Sequence, residues 1–303
     1  MGNINSQFIM STLIIVLGYI IKKYNIITEK DGEALTKIIL NVTLPAMVIN
    51  STSTLNFDLS LGLMPLFAIS YGLIITIFAI FFFRKQNRID RGMFSMLMPG
   101  FSVGLFAYPF VEAILDSKAL NYTAMFDIGN SFTVFVMAYS LGSFFSSESF
   151  SLDFKSIFRP LTRSIPLNVY SITLILSIAR LHYPAPLMNI AQTVSKANMP
   201  LSFLVMGIFL SFRIESRHWV NIFKVLGARY LIGITVSLLL YFTLPFNEVL
   251  RKIILICFVL PPPITMMAFA VKFNYNKQFV GMLINMANVM SYILLWMIFN
   301  IVS

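Results

Sequence analysis

The stretch VLPPPITMMAFAV (259–271) sets three consecutive prolines, Pro261, Pro262 and Pro263, inside an otherwise apolar run. Proline has no backbone N–H, and its ring collides with the carbonyl four residues earlier. A helix interior therefore breaks or kinks at proline, at a cost of roughly 3 kcal/mol or more. Whether a chain can tolerate such a break depends on what surrounds it.

The surroundings are apolar throughout. Of 303 residues, 58% are hydrophobic and only 11% charged, with a mean hydropathy of +0.82. Soluble domains carry about 25% charged residues. Apolar runs here repeatedly reach the ~20 residues that cross a bilayer as a helix, so the chain reads as an all-α polytopic membrane protein. The net charge of +10 does not mark a nucleic-acid binder, because the basic residues lie between apolar runs instead of forming a stripe. The single cysteine, Cys257, excludes an internal disulfide. His182 and His218 stand far apart near span ends and offer no metal site. The first apolar run, Phe8 to Ile21, has no basic residues before it and reads as a retained first span instead of a cleaved signal.

Windows of about 19 residues place ten spans near 7–22, 32–51, 62–84, 92–115, 122–146, 164–181, 186–212, 219–245, 249–272 and 277–301. The even-numbered connections hold Lys118, Arg180, Arg251 and Lys252, and Lys196 falls within a span. All other basic residues fall around odd-numbered connections; Arg213, Arg217, Lys224 and Arg229 are assigned to the seventh. The positive-inside rule makes the odd connections cytoplasmic and puts both termini outside the cell membrane. Arg217, Asn221 and Lys224 recur at i, i+4 and i+7 between apolar residues, which reads as an amphipathic stretch along the inner interface.

Five spans per half require a duplicated half to insert upside down. LNVTLPAMVI (40–49) resembles ANMPLSFLVM (197–206), with Pro45 and Pro200 separated by 155 positions. Asn130 and Asn285 are also 155 apart, and Pro109 and Pro263 are 154 apart. The halves are thus read as 1–150 and 151–303. Pro99, Gly100, Gly104 and Pro109 interrupt the fourth span as Pro261 to Pro263 interrupt the ninth. Interrupted helices at corresponding places in two halves are the sequence pointer to a carrier's substrate site, because irregular backbone at membrane depth survives only where protein buries it or a cavity adjoins it. The reading is two inverted five-helix repeats with broken, crossing helices 4 and 9, whose half-helix N-termini would face an anion.

These residues resemble the auxin efflux carrier family, which includes the plant PIN carriers and bacterial transporters. The resemblance runs through LGYIIKKYNIITEKDGEALTKIILNVTLPAMVI (17–49), FSVGLFAYP (101–109), MFDIGNSFTVFVMAYSLG (125–142), MPLSFLVMGIFLS (199–211) and VLPPPITMMAFAVKFNYN (259–276). The short middle connection near 147–160 is similar to the bacterial branch. The resemblance implies a scaffold of spans 1, 2, 6 and 7 and a mobile transport domain of spans 3–5 and 8–10. It further implies elevator-like alternating access, movement of organic anions, and a homodimer. Ser102 stands where the family commonly has Asn, and Ala107 where it has Gly. A serine offers one hydroxyl in place of an amide with two donors, which argues against auxin itself; the resemblance to the family's bacterial members implies mono- or dicarboxylates instead.

The expected function is a secondary carrier for a small organic anion, with proton or sodium coupling left open and no other cofactor. No GxxxxGK[ST] loop serves a nucleotide-driven pump, and no GxSxG or HExxH motif serves an intramembrane enzyme. A transporter-like sensor is the alternative from another class. Ser102, Tyr108, Pro109, Asn130, Pro262, Pro263, Thr265 and Asn285 are expected around the substrate path. Interhelical hydrogen bonding is the plainer role for the two asparagines. Lys196 lies about ten residues, or ~15 Å, into the seventh span. Charge at that depth marks function by default. Asp127 is its expected partner, and Lys196 is suited to hold an anion or to replace a coupling cation, unless it snorkels to the headgroups.

Overall fold

The computed structural model describes residues 4–52, 59–146, 162, 164–179, 181, 183–211 and 218–302, and among them every regular element is helical. In chain order the helices are α1 (Ile4–Lys23), α2 (Glu29–Ser51), α3 (Leu59–Phe82), α4 (Arg88–Met96), α5 (Val103–Ile114), α6 (Ser117–Phe145) and α7 (Ile165–Ile178). They continue as α8 (Ala185–Ser195), α9 (Asn198–Phe209), α10 (Trp219–Thr243), α11 (Glu248–Cys257), α12 (Thr265–Lys272) and α13 (Lys277–Val302). Six of them, α1, α2, α3, α6, α10 and α13, are long and apolar enough to cross a membrane. The segments expected at 92–115, 186–212 and 249–272 are each two shorter helices. The middle connection near 147–160 lies outside the described residues.

Side-chain caps set where these helices begin. Thr28 and Asp31 form a reciprocal capping box at α2. Asn87, Asp116, Asn247 and Asn276 each accept from the backbone N–H three residues on, satisfying donors that a helix start leaves unpaired. The starts of α3 and α10, α4 and α11, and α6 and α13 each lie 160 residues apart. Asn87 and Asn247 keep that spacing, as do Asp116 and Asn276. Leu97 and Phe258, which end α4 and α11, share nearly the same backbone angles, φ −80, ψ −8 and φ −79, ψ −8.

At this spacing Pro261 to Pro263 fall opposite Phe101 to Val103, and Asn130 opposite Met290. Pro263 belongs to unwound chain, whereas Pro109 lies inside α5. Pro109 is accommodated because Val103–Ala107 is a π-helical turn in which the Tyr108 N–H reaches back to Val103. The wider turn leaves room for the ring that follows. Pro45 is treated alike: Ile39–Thr43 is π-helical and the Leu44 N–H bonds Ile39. Pro200 takes the other solution, a complete break between α8 and α9 at Lys196 and Ala197.

Two further expectations change. Trp219, Val220, Asn221 and Lys224 begin the 25-residue helix α10 and not a separate interfacial helix; Arg217 lies outside the described residues. Arg229 does not belong to a connection. It is fully buried, ten residues into α10.

The helices pack as one connected bundle, with α5 against α9 and α2 against α6. α1 runs along α9, and α2 packs against α7 and α8; α3 runs along α6, α10 along α11, and α12 along α13. The α1–α9 contact is backbone to backbone: a Cβ on Gly207 would fall on the Ile15 carbonyl, and one on Gly18 on the Leu204 carbonyl. Small residues permit such approach in apolar surroundings. Trp296 Nε1 donates to Asn5 Oδ1 at 3.0 Å, and the Tyr292 hydroxyl donates to the Phe8 carbonyl at 2.9 Å. The beginning of α1 therefore lies beside the end of α13.

Candidate functional site

Chain leaves α4 at Leu97 and re-enters helix at Val103; it leaves α11 at Phe258 and re-enters at Thr265. The two unwound stretches meet, with the Ser102 N–H donating to the Pro261 carbonyl at 2.9 Å. Gly100 has φ +85, a conformation side chains rarely adopt. Asn130, from α6, brackets Phe101: its Oδ1 accepts from the Phe101 N–H at 2.8 Å, and its Nδ2 donates to the Phe101 carbonyl at 2.9 Å. Around the crossing Tyr71 and Phe258 stack at 4.1 Å, and Phe101 and Phe126 complete the ring cluster. The guanidinium of Arg229 donates to the carbonyls of Leu97, Met98, Gly100 and Leu260. One side chain thus ties the ends of both first half-helices.

The second half-helices begin at the same place. The amides of Gly104, Leu105, Ile264 and Thr265 find no acceptor among the described residues. Such free N–H groups and the partial positive charge of a helix start favour an anion. Two cavities flank them, and Ser102, Leu105 and Ile264 line both. One, about 390 Å³, adds Pro262, Asn285 and Asn288, with exposed Glu29, Glu33 and Lys277 at its rim. The other, about 290 Å³, adds Asn41, Asp127, Ser131, Tyr170, Pro263 and Thr265. The hydroxyls of Ser102 and Thr265 make no hydrogen bond among the described residues, so both remain available to a ligand.

Of the residues expected at the substrate path, Ser102, Pro262 and Asn285 line the larger cavity, and Ser102, Asn130, Pro263 and Thr265 the smaller. Asp127 also faces the smaller one and accepts from Asn130 Nδ2 at 3.1 Å. Tyr108 and Pro109 are buried in α5 and line neither; the Tyr108 hydroxyl is hydrogen-bonded to that of Tyr170. Lys196 is exposed at the α8–α9 break, lines neither cavity and makes no ion pair with Asp127.

The sequence reading passed over Arg229 and a buried polar chain. Thr43 Oγ1 donates to Asn198 Oδ1 at 3.0 Å, and the Asn198 amide meets the carboxylate of Glu112, whose Oε2 is buried without a partner. This chain joins α2, α9 and α5. Glu112 carried a usable signal, being an acid inside an apolar half-span. Arg229 carried a similar one, masked by its nearness to the basic residues before it.

No model of a known protein family matches the chain. Over 299 residues, 95% of either chain, it is 23% identical to an uncharacterized transporter of Methanothermobacter thermautotrophicus.

Proposed function

We propose that the protein is a multi-pass membrane transporter, a secondary carrier that moves a small organic anion, a mono- or dicarboxylate, across the cell membrane by alternating access. Six apolar membrane-length helices and similarity to a chain named a transporter support the class. One observation carries the substrate charge. The starts of α5 and α12, with free amides and the hydroxyls of Ser102 and Thr265, converge on cavities that no described carboxylate fills except Asp127 and the rim acids.

The reading includes ten spans in two inverted five-span repeats, with α4–α5 and α11–α12 as the crossing helices. Helix starts recurring at 160 residues support it. So does the contact between Thr43 and Asn198, which are 155 residues apart. That is the spacing of Pro45 and Pro200, so equivalent positions meet where a pseudo-two-fold axis would pass. In this reading α1, α2, α7, α8 and α9 serve as scaffold, and α3–α6 and α10–α13 carry the site past them.

Purified protein screened against small carboxylates by thermal unfolding should show stabilisation by at least one of them. A ligand at a hundredfold excess over Kd adds about 2.7 kcal/mol. The same compound should then exchange in proteoliposomes. Stabilisation without flux would identify a sensor; no stabilisation by any carboxylate would remove the anion assignment.

A further inference from the structure

We propose that Arg229 is a built-in counter-ion, occupying the position where a carrier of this architecture would otherwise coordinate a soluble cation, so that the crossing is complete without sodium. In carriers with interrupted helices, unwound carbonyls and the C-terminal ends of half-helices are the groups that bind a coupling cation. Here α4 and α11 direct those ends at one point, and the carbonyls found there are those of Leu97, Met98, Gly100 and Leu260. All four accept from the Arg229 guanidinium, with Gly100 at 2.7 Å and Leu260 at 3.0 Å.

The guanidinium carbon also lies 4.9 Å from the centre of the Phe101 ring, which favours a cation on its face. No carboxylate pairs with Arg229 among the described residues, and its Nε is buried without a partner. The charge is therefore answered by backbone dipoles and the Phe101 ring, with no carboxylate among the described residues. The negative ends of two half-helices are neutralised by a covalently held cation, leaving the positive starts of α5 and α12 free for an anion. A guanidinium fixed on α10 cannot leave with the substrate, so it contributes charge to the site at every stage of a cycle. The inference rests on the carrier reading for the position of the cation and on the geometry of the crossing for what occupies it.

The test is thermal unfolding of purified wild type, Arg229→Ala and Arg229→Met in choline, potassium and sodium chloride at equal ionic strength, each with and without low-millimolar guanidinium. Wild type should unfold at the same temperature in all three salts. Arg229→Ala should unfold several degrees lower in choline, and sodium or guanidinium should recover at least half of that loss while leaving wild type unchanged. Arg229→Met, which fills the space without charge, should be destabilised and should not be rescued. Selective stabilisation of wild type by sodium would overturn the proposal by revealing an intact soluble-cation site. So would an Arg229→Met protein as stable as wild type, or an Arg229→Ala protein that no cation restores. Should neither neutral variant accumulate, the wild-type comparison decides alone. Its result is independent of whether any carboxylate binds or moves.

Discussion

Asn130 and Asn285 are the same amide in similar apolar helices, and their neighbours divide their roles. Asn130 spends both ends of its amide on the Phe101 backbone at the break. Among the described residues Asn285 bonds only the Gly281 carbonyl of its own helix, and it faces the larger cavity. Leucine at position 130 would strand the buried Phe101 N–H, whereas the Phe101 carbonyl keeps the Val103 N–H at 3.0 Å. Asn130→Leu should therefore lower stability by about 1–3 kcal/mol, read as an early thermal transition in detergent. Asn285→Leu should unfold like wild type and lose the thermal shift given by a binding carboxylate, a tenfold loss in affinity corresponding to about 1.4 kcal/mol. Equal melting temperatures for the two variants would contradict this division.

At the scale of the element, glycine decides how closely helices approach. Gly207 sits against the Ile15 carbonyl with no room for a Cβ, whereas Gly227 on α10 has nothing within 4 Å of that position. Both lie in helices, where alanine is intrinsically favoured over glycine by about 1 kcal/mol. Gly207→Ala should still destabilise, because α1 and α9 must separate. Gly227→Ala should leave the melting temperature unchanged or raise it. If both substitutions raise it, the α1–α9 contact is looser than described. The prolines teach the same lesson in another form. Pro45, Pro109 and Pro200 make the same local demand, and the fold meets it with a π turn in the first two cases and a break in the third.

For the whole molecule, the proposal that α3–α6 and α10–α13 slide past the scaffold helices predicts relative motion where the two sets touch far from the cavities. The α1 end of one set meets the α13 end of the other through Asn5 and Trp296. Cysteines at these two positions, joined by a short bifunctional thiol reagent, should arrest flux in proteoliposomes, and a cleavable reagent should restore it on reduction. Cys257 is buried and can remain. Full flux through completely cross-linked protein would show that α13 does not move against α1, and the sliding mechanism would fall.

Class, helix content and the two central breaks were legible in the sequence, because each follows from local chemistry. Run length sets whether a helix can cross a membrane, and proline at 261–263 ends a helix whatever surrounds it. Spacing suggested a duplication, and helix caps that recur 160 residues apart are consistent with it. Tertiary structure alone decided the depth of Arg229, which a hydropathy window merges with the basic residues before it. Its acceptors Leu97 and Leu260 lie 132 and 31 positions away in the chain. Tertiary structure alone also divided the two asparagines and moved Lys196 to an exposed break. In each case the deciding neighbour comes from a distant helix, and a side chain's own type and spacing cannot say whether it will meet an open amide, a carbonyl or lipid.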